Sequence, residues 1–96
     1  MVNLANKKAI SVQDPWFTYI LLCKDNCFYV GITNNLSKRV KKHNLGKGSK
    51  YIVPSKRPAK LVYSEKHPTK SEARKREIQL KKWTKKKKIL LVEGKL

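Results

Sequence analysis

The sequence predicts an α+β (α/β) fold: a small three-stranded antiparallel β-sheet flanked by helices, in the order β-β-α-β-α-α. Three observations lead there. WFTYILLC and CFYVGIT are dense aromatic and β-branched runs around the short turn Lys24-Asp25-Asn26, the pattern of a β-hairpin. PAKLVYSE reads as a third strand, over 59–65. The remaining segments space their apolar residues as helices do, with capping residues at their ends. At 96 residues the chain has room for one domain and one modest core.

Residues 1–15 are polar, lack periodicity and end at Asp14-Pro15, so a flexible arm is expected there, with one domain over 16–92 and a short tail over 93–96. The hairpin register follows from its loop. With Lys24-Asp25-Asn26 as the loop, Cys23 pairs with Cys27, Leu21 with Tyr29 and Tyr19 with Gly31. Tyr19 and Tyr29 then share one face as diagonal neighbours, whereas a two-residue loop would put them on opposite faces. Asn26 tolerates the left-handed conformation that closes a three-residue loop, which favours the first register.

A first helix is expected from Leu36 to about Leu45, capped by Asn34 or Asn35 and stopped by Gly46. Leu36, Val40 and His43 fall on one stripe with Arg39 at its edge, while Lys38, Lys41 and Lys42 lie opposite. Two polar side chains thus ride on the face that meets the sheet. GKGSKYIVPSKRP is a Gly- and Lys-rich loop. A second helix opens near Thr69 and runs to about Trp83, with Thr69-Lys70-Ser71-Glu72 as a capping box. Its apolar stripe is Ala73, Leu80 and Trp83, and Glu77 falls beside it. A carboxylate there is costly unless a partner or a metal satisfies it. A last short helix is expected to turn Ile89, Leu90 and Val92 inward.

Charge narrows the function. Lysine and arginine number 24 against 6 acidic residues, a net charge of +18 that favours a polyanionic partner, nucleic acid first. No segment pairs a basic face with a broad apolar one, which argues against a membrane surface, and no apolar run is long enough to span one. MVNLANKKAISVQDP has no apolar core of a secretory signal, so a cytoplasmic protein is expected. Cys23 and Cys27 make no zinc framework with His43 and His67, and read as small buried side chains in a reducing compartment. His67, beside Pro68, reads as a loop residue without a role.

Periodicity points Tyr19, Tyr29, Arg39, His43 and Glu77 toward the sheet. Cutting a phosphodiester needs an activated water, a cation for the charged transition state and help for the leaving oxygen. An arginine can clamp the phosphate bidentately, one carboxylate can hold a largely hydrated Mg²⁺, and a tyrosine or histidine can take a proton from water. The set is chemically sufficient.

These residues also carry a resemblance. The chain resembles the GIY-YIG nuclease superfamily, above all its small stand-alone bacterial (YhbQ-like) group. Phe17-Thr18-Tyr19 stands where the first motif ends in tyrosine, and Tyr29-Val30-Gly31 matches the second. Arg39 follows Gly31 at the spacing of the superfamily's helix arginine, His43 comes one turn later, and Glu77 lies on the later helix. The likeness continues through NLSKRVKKHNLGKGSKY and EIQLKKWTKKKK. It implies the fold predicted above and an endonuclease in which Tyr19 and Tyr29 position or deprotonate water, Arg39 binds the scissile phosphate and Glu77 ligates Mg²⁺ or Mn²⁺. His43 resembles the histidine with which some restriction-enzyme members assist a tyrosine. Ile32 replaces the lysine of UvrC-type domains, which leaves the base open between a tyrosine and this histidine. The expected partner is DNA, with RNA as the alternative, bound by a monomer without strong sequence preference. Lys47, Lys50 and Tyr51 of the loop and Lys85, Lys86, Lys87 and Lys88 of the tail are its expected contacts.

Overall fold

The computed structural model describes residues 15–47 and 56–96; the expectations for residues 1–14, Lys50 and Tyr51 lie outside the described residues. Strands β1 (Trp16–Leu22) and β2 (Phe28–Thr33) form the hairpin in the register set by a three-residue loop, with Tyr19 opposite Gly31 and Leu21 opposite Tyr29. Asn26 adopts φ of 70°, and the Cys23 amide donates to the Cys27 carbonyl at 2.8 Å to close the loop. Strand β3 (Lys60–His67) pairs antiparallel with the other side of β1, giving the order β2-β1-β3. It runs two residues past the expected end, and His67 belongs to it, opposite Trp16.

Helix α1 (Leu36–Asn44) is capped by Asn35, whose side chain accepts from the Lys38 amide. It ends where Gly46 takes φ of 79°, with the Gly46 and Lys47 amides donating to the His43 and Lys42 carbonyls, a Schellman closure. Helix α2 (Lys70–Lys81) starts from Thr69, and α3 (Lys85–Val92) from Thr84. The capping box is half formed. Thr69 Oγ1 accepts from the Glu72 amide, but the Glu72 carboxylate reaches forward to Lys75 at 3.9 Å rather than back to Thr69.

Alternation along β1 divides the core. Tyr19, Leu21 and Cys23 face one way and, with Ala59, pack against Tyr29, Leu36 and Val40, so α1 covers this face. Ile20 faces the other way with Val30 and Leu80, beneath Trp83, Leu91 and Val92 of the α2–α3 layer. Fully burying Ile20, Leu21 or Leu80 stabilises the fold by about 1.5–3 kcal/mol each. The Thr18 hydroxyl donates to the Ala73 carbonyl at 2.9 Å and pins α2 to the sheet. Two expectations are corrected here. Ile89 is exposed and Leu91 packs inward, because the helix starts at Lys85 and its phase follows that start. Cys27 is exposed, since the hairpin turn carries it beyond the α1 layer that buries Cys23.

Candidate active site

Tyr19 enters the α1 face from the centre of the sheet and is 1% exposed. His43, on the last turn of α1, meets it there: the Tyr19 Oη and His43 Nε2 atoms are 3.0 Å apart in a hydrogen bond with both groups buried. Gly31 makes room for this. A Cβ at Gly31 would lie 2.6 Å from the Tyr19 hydroxyl oxygen, so any side chain there would displace the phenol. Tyr29, half-buried, sets its ring edge-on to the imidazole with centroids 5.1 Å apart, and lies 6.3 Å from the Tyr19 ring. Three aromatic groups from two strands and one helix thus meet at one point.

Electrostatics sort their roles. Burial, reinforced by Tyr29 and opposed by Arg39, pushes the Tyr19 phenol well above its usual pKa, and the Glu77 charge adds to the rise. Burial and then the Arg39 guanidinium push His43 below the ordinary histidine value. The imidazole is therefore neutral at pH 7, and Nδ1 is buried without a hydrogen-bond partner among the described residues. Arg39 is half-buried beside this pair and lines a cleft at the β2–α1 junction, together with Thr33, Asn34, Asn35, Lys38 and Lys42.

Glu77 comes from α2, whose Leu80 packs on the Ile20 and Val30 face of the sheet, and its charge is close enough to Tyr19 to add to the rise of the phenol's pKa. It is 9% exposed, and Lys81 Nζ at 3.2 Å and Arg74 Nε at 3.7 Å flank its oxygens. Among the described residues no three His, Cys, Asp or Glu side chains cluster as a metal cage. One carboxylate suits a cation that keeps most of its waters, as Mg²⁺ does, and both flanking cations are on exposed side chains free to move aside.

The expected nucleic-acid contacts are spread out. Lys47 is exposed just beyond α1, on the side of His43. Lys85, Lys86, Lys87 and Lys88 lie on α3, in the layer on the opposite face. Lys85 Nζ donates to the Asn26 carbonyl at 2.7 Å, and Lys87 Nζ sits 4.2 Å over the Trp83 ring, so both are tied into the fold.

Sequence reasoning missed two polar anchors. Asn44 donates through Nδ2 to the Ala59 carbonyl at 3.0 Å and accepts from the Ala59 amide at 2.7 Å, which ties the end of α1 to the start of β3. Glu65 gathers Tyr63, His67 at 2.8 Å and Arg76 at 2.9 Å, joining β3 to α2 one residue before Glu77. Alternation could have flagged Glu65, which shares a strand parity with Tyr63 and His67.

Known proteins match this chain in sequence and in fold. A family model described as the GIY-YIG catalytic domain matches residues 15–89. The UPF0213 protein YazA of Bacillus subtilis is 51% identical over 79 residues, covering 82% of this chain and 79% of its own. A UPF0213 protein of Staphylococcus aureus strain Mu3 is 45% identical over 81 residues, covering 84% of this chain and 98% of its own. Among solved structures, the UPF0213 protein BH0048 of Bacillus halodurans aligns with TM-score 0.54 at 40% identity, over 84% of this chain and 85% of that one. The E. faecalis protein EF2693 aligns with TM-score 0.58 at 38% identity, over 85% and 86%. Both structures share the three-stranded sheet and its helices. The chain belongs to the GIY-YIG family, within the small stand-alone group whose members carry the name UPF0213.

Proposed function

We propose that this protein is an endonuclease that hydrolyses phosphodiester bonds of DNA, with a divalent metal ion and little sequence preference. The observation that carries the reading is the buried Tyr19–His43 hydrogen bond at 3.0 Å, set between Tyr29 and Arg39. A buried pair of proton-transfer groups beside a guanidinium suits attack of water on a phosphate. Membership in a family whose domain is described as catalytic, and the net charge of +18, support it.

In this mechanism Arg39 clamps the scissile phosphate and meets the charge that grows on its oxygens. Tyr19 is too costly to ionise, so it serves as a relay rather than a stored phenolate. As the water oxygen bonds to phosphorus, the bond from phosphorus to the leaving oxygen breaks. The water's proton passes to Tyr19 Oη while the Tyr19 proton passes to His43 Nε2, and the leaving oxygen takes a proton from solvent. The imidazole must then hold its own hydrogen on Nδ1. Tyr29 braces the imidazole and helps place the water. Glu77 would hold the metal ion, which when bound supplies positive charge for the transition state and the leaving oxygen. The basic residues Lys47 and Lys86 contribute attraction along the backbone, without reading bases.

The test is a cleavage assay on single-stranded, duplex and branched DNA and on RNA, with Mg²⁺ or Mn²⁺ and with EDTA. Metal-dependent internal cuts in DNA are expected, abolished by EDTA. Intact DNA under every condition, with DNA still bound, would favour a binding module that keeps only the fold.

A further inference from the structure

The cleft beside Arg39 has a volume of about 170 Å³ and is lined by Thr33, Asn34, Asn35, Lys38, Arg39 and Lys42. That is many times the roughly 10–15 Å³ that a single water needs. Its walls have one chemical character: half of the lining residues are cationic and none is a carboxylate. The acceptors of Asn35 at its rim are already engaged. The Asn35 Oδ1 atom accepts from the Lys38 amide at 3.0 Å, and the Asn35 carbonyl accepts from the Thr33 hydroxyl at 3.2 Å. What remains is dominated by donors and positive charge: the amide hydrogens of Asn34 and Asn35, two ammonium groups and a guanidinium, against the single side-chain carbonyl of Asn34. Phosphate oxygens match that set, and a neutral or cationic ligand does not.

We propose that this cleft holds a second phosphodiester, next to the one that Arg39 clamps for cutting. The chain then recognises polynucleotide backbone by at least two consecutive phosphates. The inference rests on the nuclease reading for the identity of the polyanion, and Arg39 is the residue that joins cleft and site. Lys38 and Lys42 are one helical turn apart and exposed, so they can close on a phosphate from one side while Asn35 donates from another.

The test is an NMR titration of the full chain in EDTA, reading the Asn35 and Lys38 amides. The probes are TpT with one phosphodiester, TpTpT with two, TpTpT with one linkage replaced by a neutral methylphosphonate, UpUpU, and inorganic phosphate. TpTpT should bind about tenfold tighter than TpT, and the methylphosphonate trimer should fall back to the TpT level. In Lys38→Ala/Lys42→Ala the advantage of the trimer should shrink to the small statistical gain of having two linkages. Lys60→Ala/Lys66→Ala removes the same charge from β3, at the far edge of the sheet, and should keep the full advantage. An advantage that survives in the first variant, or falls equally in both, overturns the proposal. So does inorganic phosphate that shifts the same amides at the same concentrations as TpTpT. UpUpU identifies the source: equal binding supports backbone phosphate of either polymer, and weaker binding supports DNA. Because binding here needs neither metal nor turnover, a chain that prefers TpTpT yet cuts nothing sinks the nuclease reading alone. One that cuts DNA but ignores the second phosphate loses only the cleft.

Discussion

Gly31 lies directly across the hairpin from Tyr19, and a Cβ added there would sit 2.6 Å from the phenol oxygen. The phenol is buried against α1, so it cannot swing aside without opening the core. A missing side chain at one position therefore fixes where the hydroxyl of another lies, and through it the 3.0 Å bond to His43.

Gly31→Ala should destabilise the fold by about 1–3 kcal/mol through overpacking, and should move the Tyr19 hydroxyl off His43. Denaturant midpoints measure the first effect, and the ¹⁵N shift of His43 Nε2 measures the second. A variant as stable as the parent with an unchanged His43 signal would show that Tyr19 has more room than the geometry gives it.

Glu77 and Glu72 separate chemistry from capping. Glu77→Gln should abolish metal-stimulated cutting and keep DNA binding. Glu72 is exposed and does not complete the capping box, so Glu72→Ala should change stability by no more than about 0.5 kcal/mol. The cap itself is Thr69, and Thr69→Ala should cost about 0.5–2 kcal/mol. Equal cleavage by Glu77→Gln and the parent would remove Glu77 from the metal site.

Glu65 should make stability depend on acid pH. Burial alone would raise its pKa, but hydrogen bonds from Tyr63, His67 and Arg76, together with the Arg76 charge, hold it below the ordinary 4.5. A carboxyl lowered in the folded state gives stability that is fully present above its unfolded pKa and lost as pH falls through the folded one. Glu65→Gln should cost about 1–3 kcal/mol at pH 7 and flatten the stability curve below pH 4.5. Parallel curves for variant and parent would assign the acid dependence elsewhere.

Binding should weaken steeply with salt. If about 6 phosphates are neutralised, affinity should drop on the order of 10³-fold between 50 and 200 mM salt. Lys86→Ala should lower the log–log slope by about 0.9 with little change in saturating single-turnover rate. Lys85→Ala should act more on stability, because its ammonium is tied to the hairpin turn at Asn26. A salt-independent affinity would contradict backbone recognition.

What was legible in the sequence was local. Loop parity and Asn26 set the hairpin register, and the Asn35 and Gly46 signals bounded α1, because turn and cap chemistry act over a few residues. Helical period placed His43 on the buried stripe for the same reason. The side of the sheet on which a helix lands is a long-range property. Periodicity therefore picked out Glu77 as core-facing, yet could not tell that α2 packs through Leu80 on the Ile20 and Val30 face of the sheet while the Glu77 charge acts on Tyr19. Glu65 and Asn44 escaped because their partners, Arg76 and Ala59, lie across loops that a reading along the chain does not bridge. The inward set of α3 was misjudged at Ile89 because a basic run hides where the helix begins.

The most direct measurement of the Tyr19–His43 relay is the pH dependence of single-turnover DNA cleavage, for the parent chain, His43→Ala, Tyr19→Phe and Tyr29→Phe. A base must be neutral, so the rate should rise as pH climbs through the His43 pKa. Burial and Arg39 lower that pKa, so the rise should fall below pH 6.5, the ordinary histidine value, leaving the rate flat near pH 7. His43→Ala should remove this inflection and slow cutting on the order of 10²-fold or more, and Tyr19→Phe should do the same. Tyr29→Phe should slow cutting less and keep the inflection. A His43→Ala chain that cuts at the parent rate with the parent pH profile would contradict the relay and place the base outside this pair.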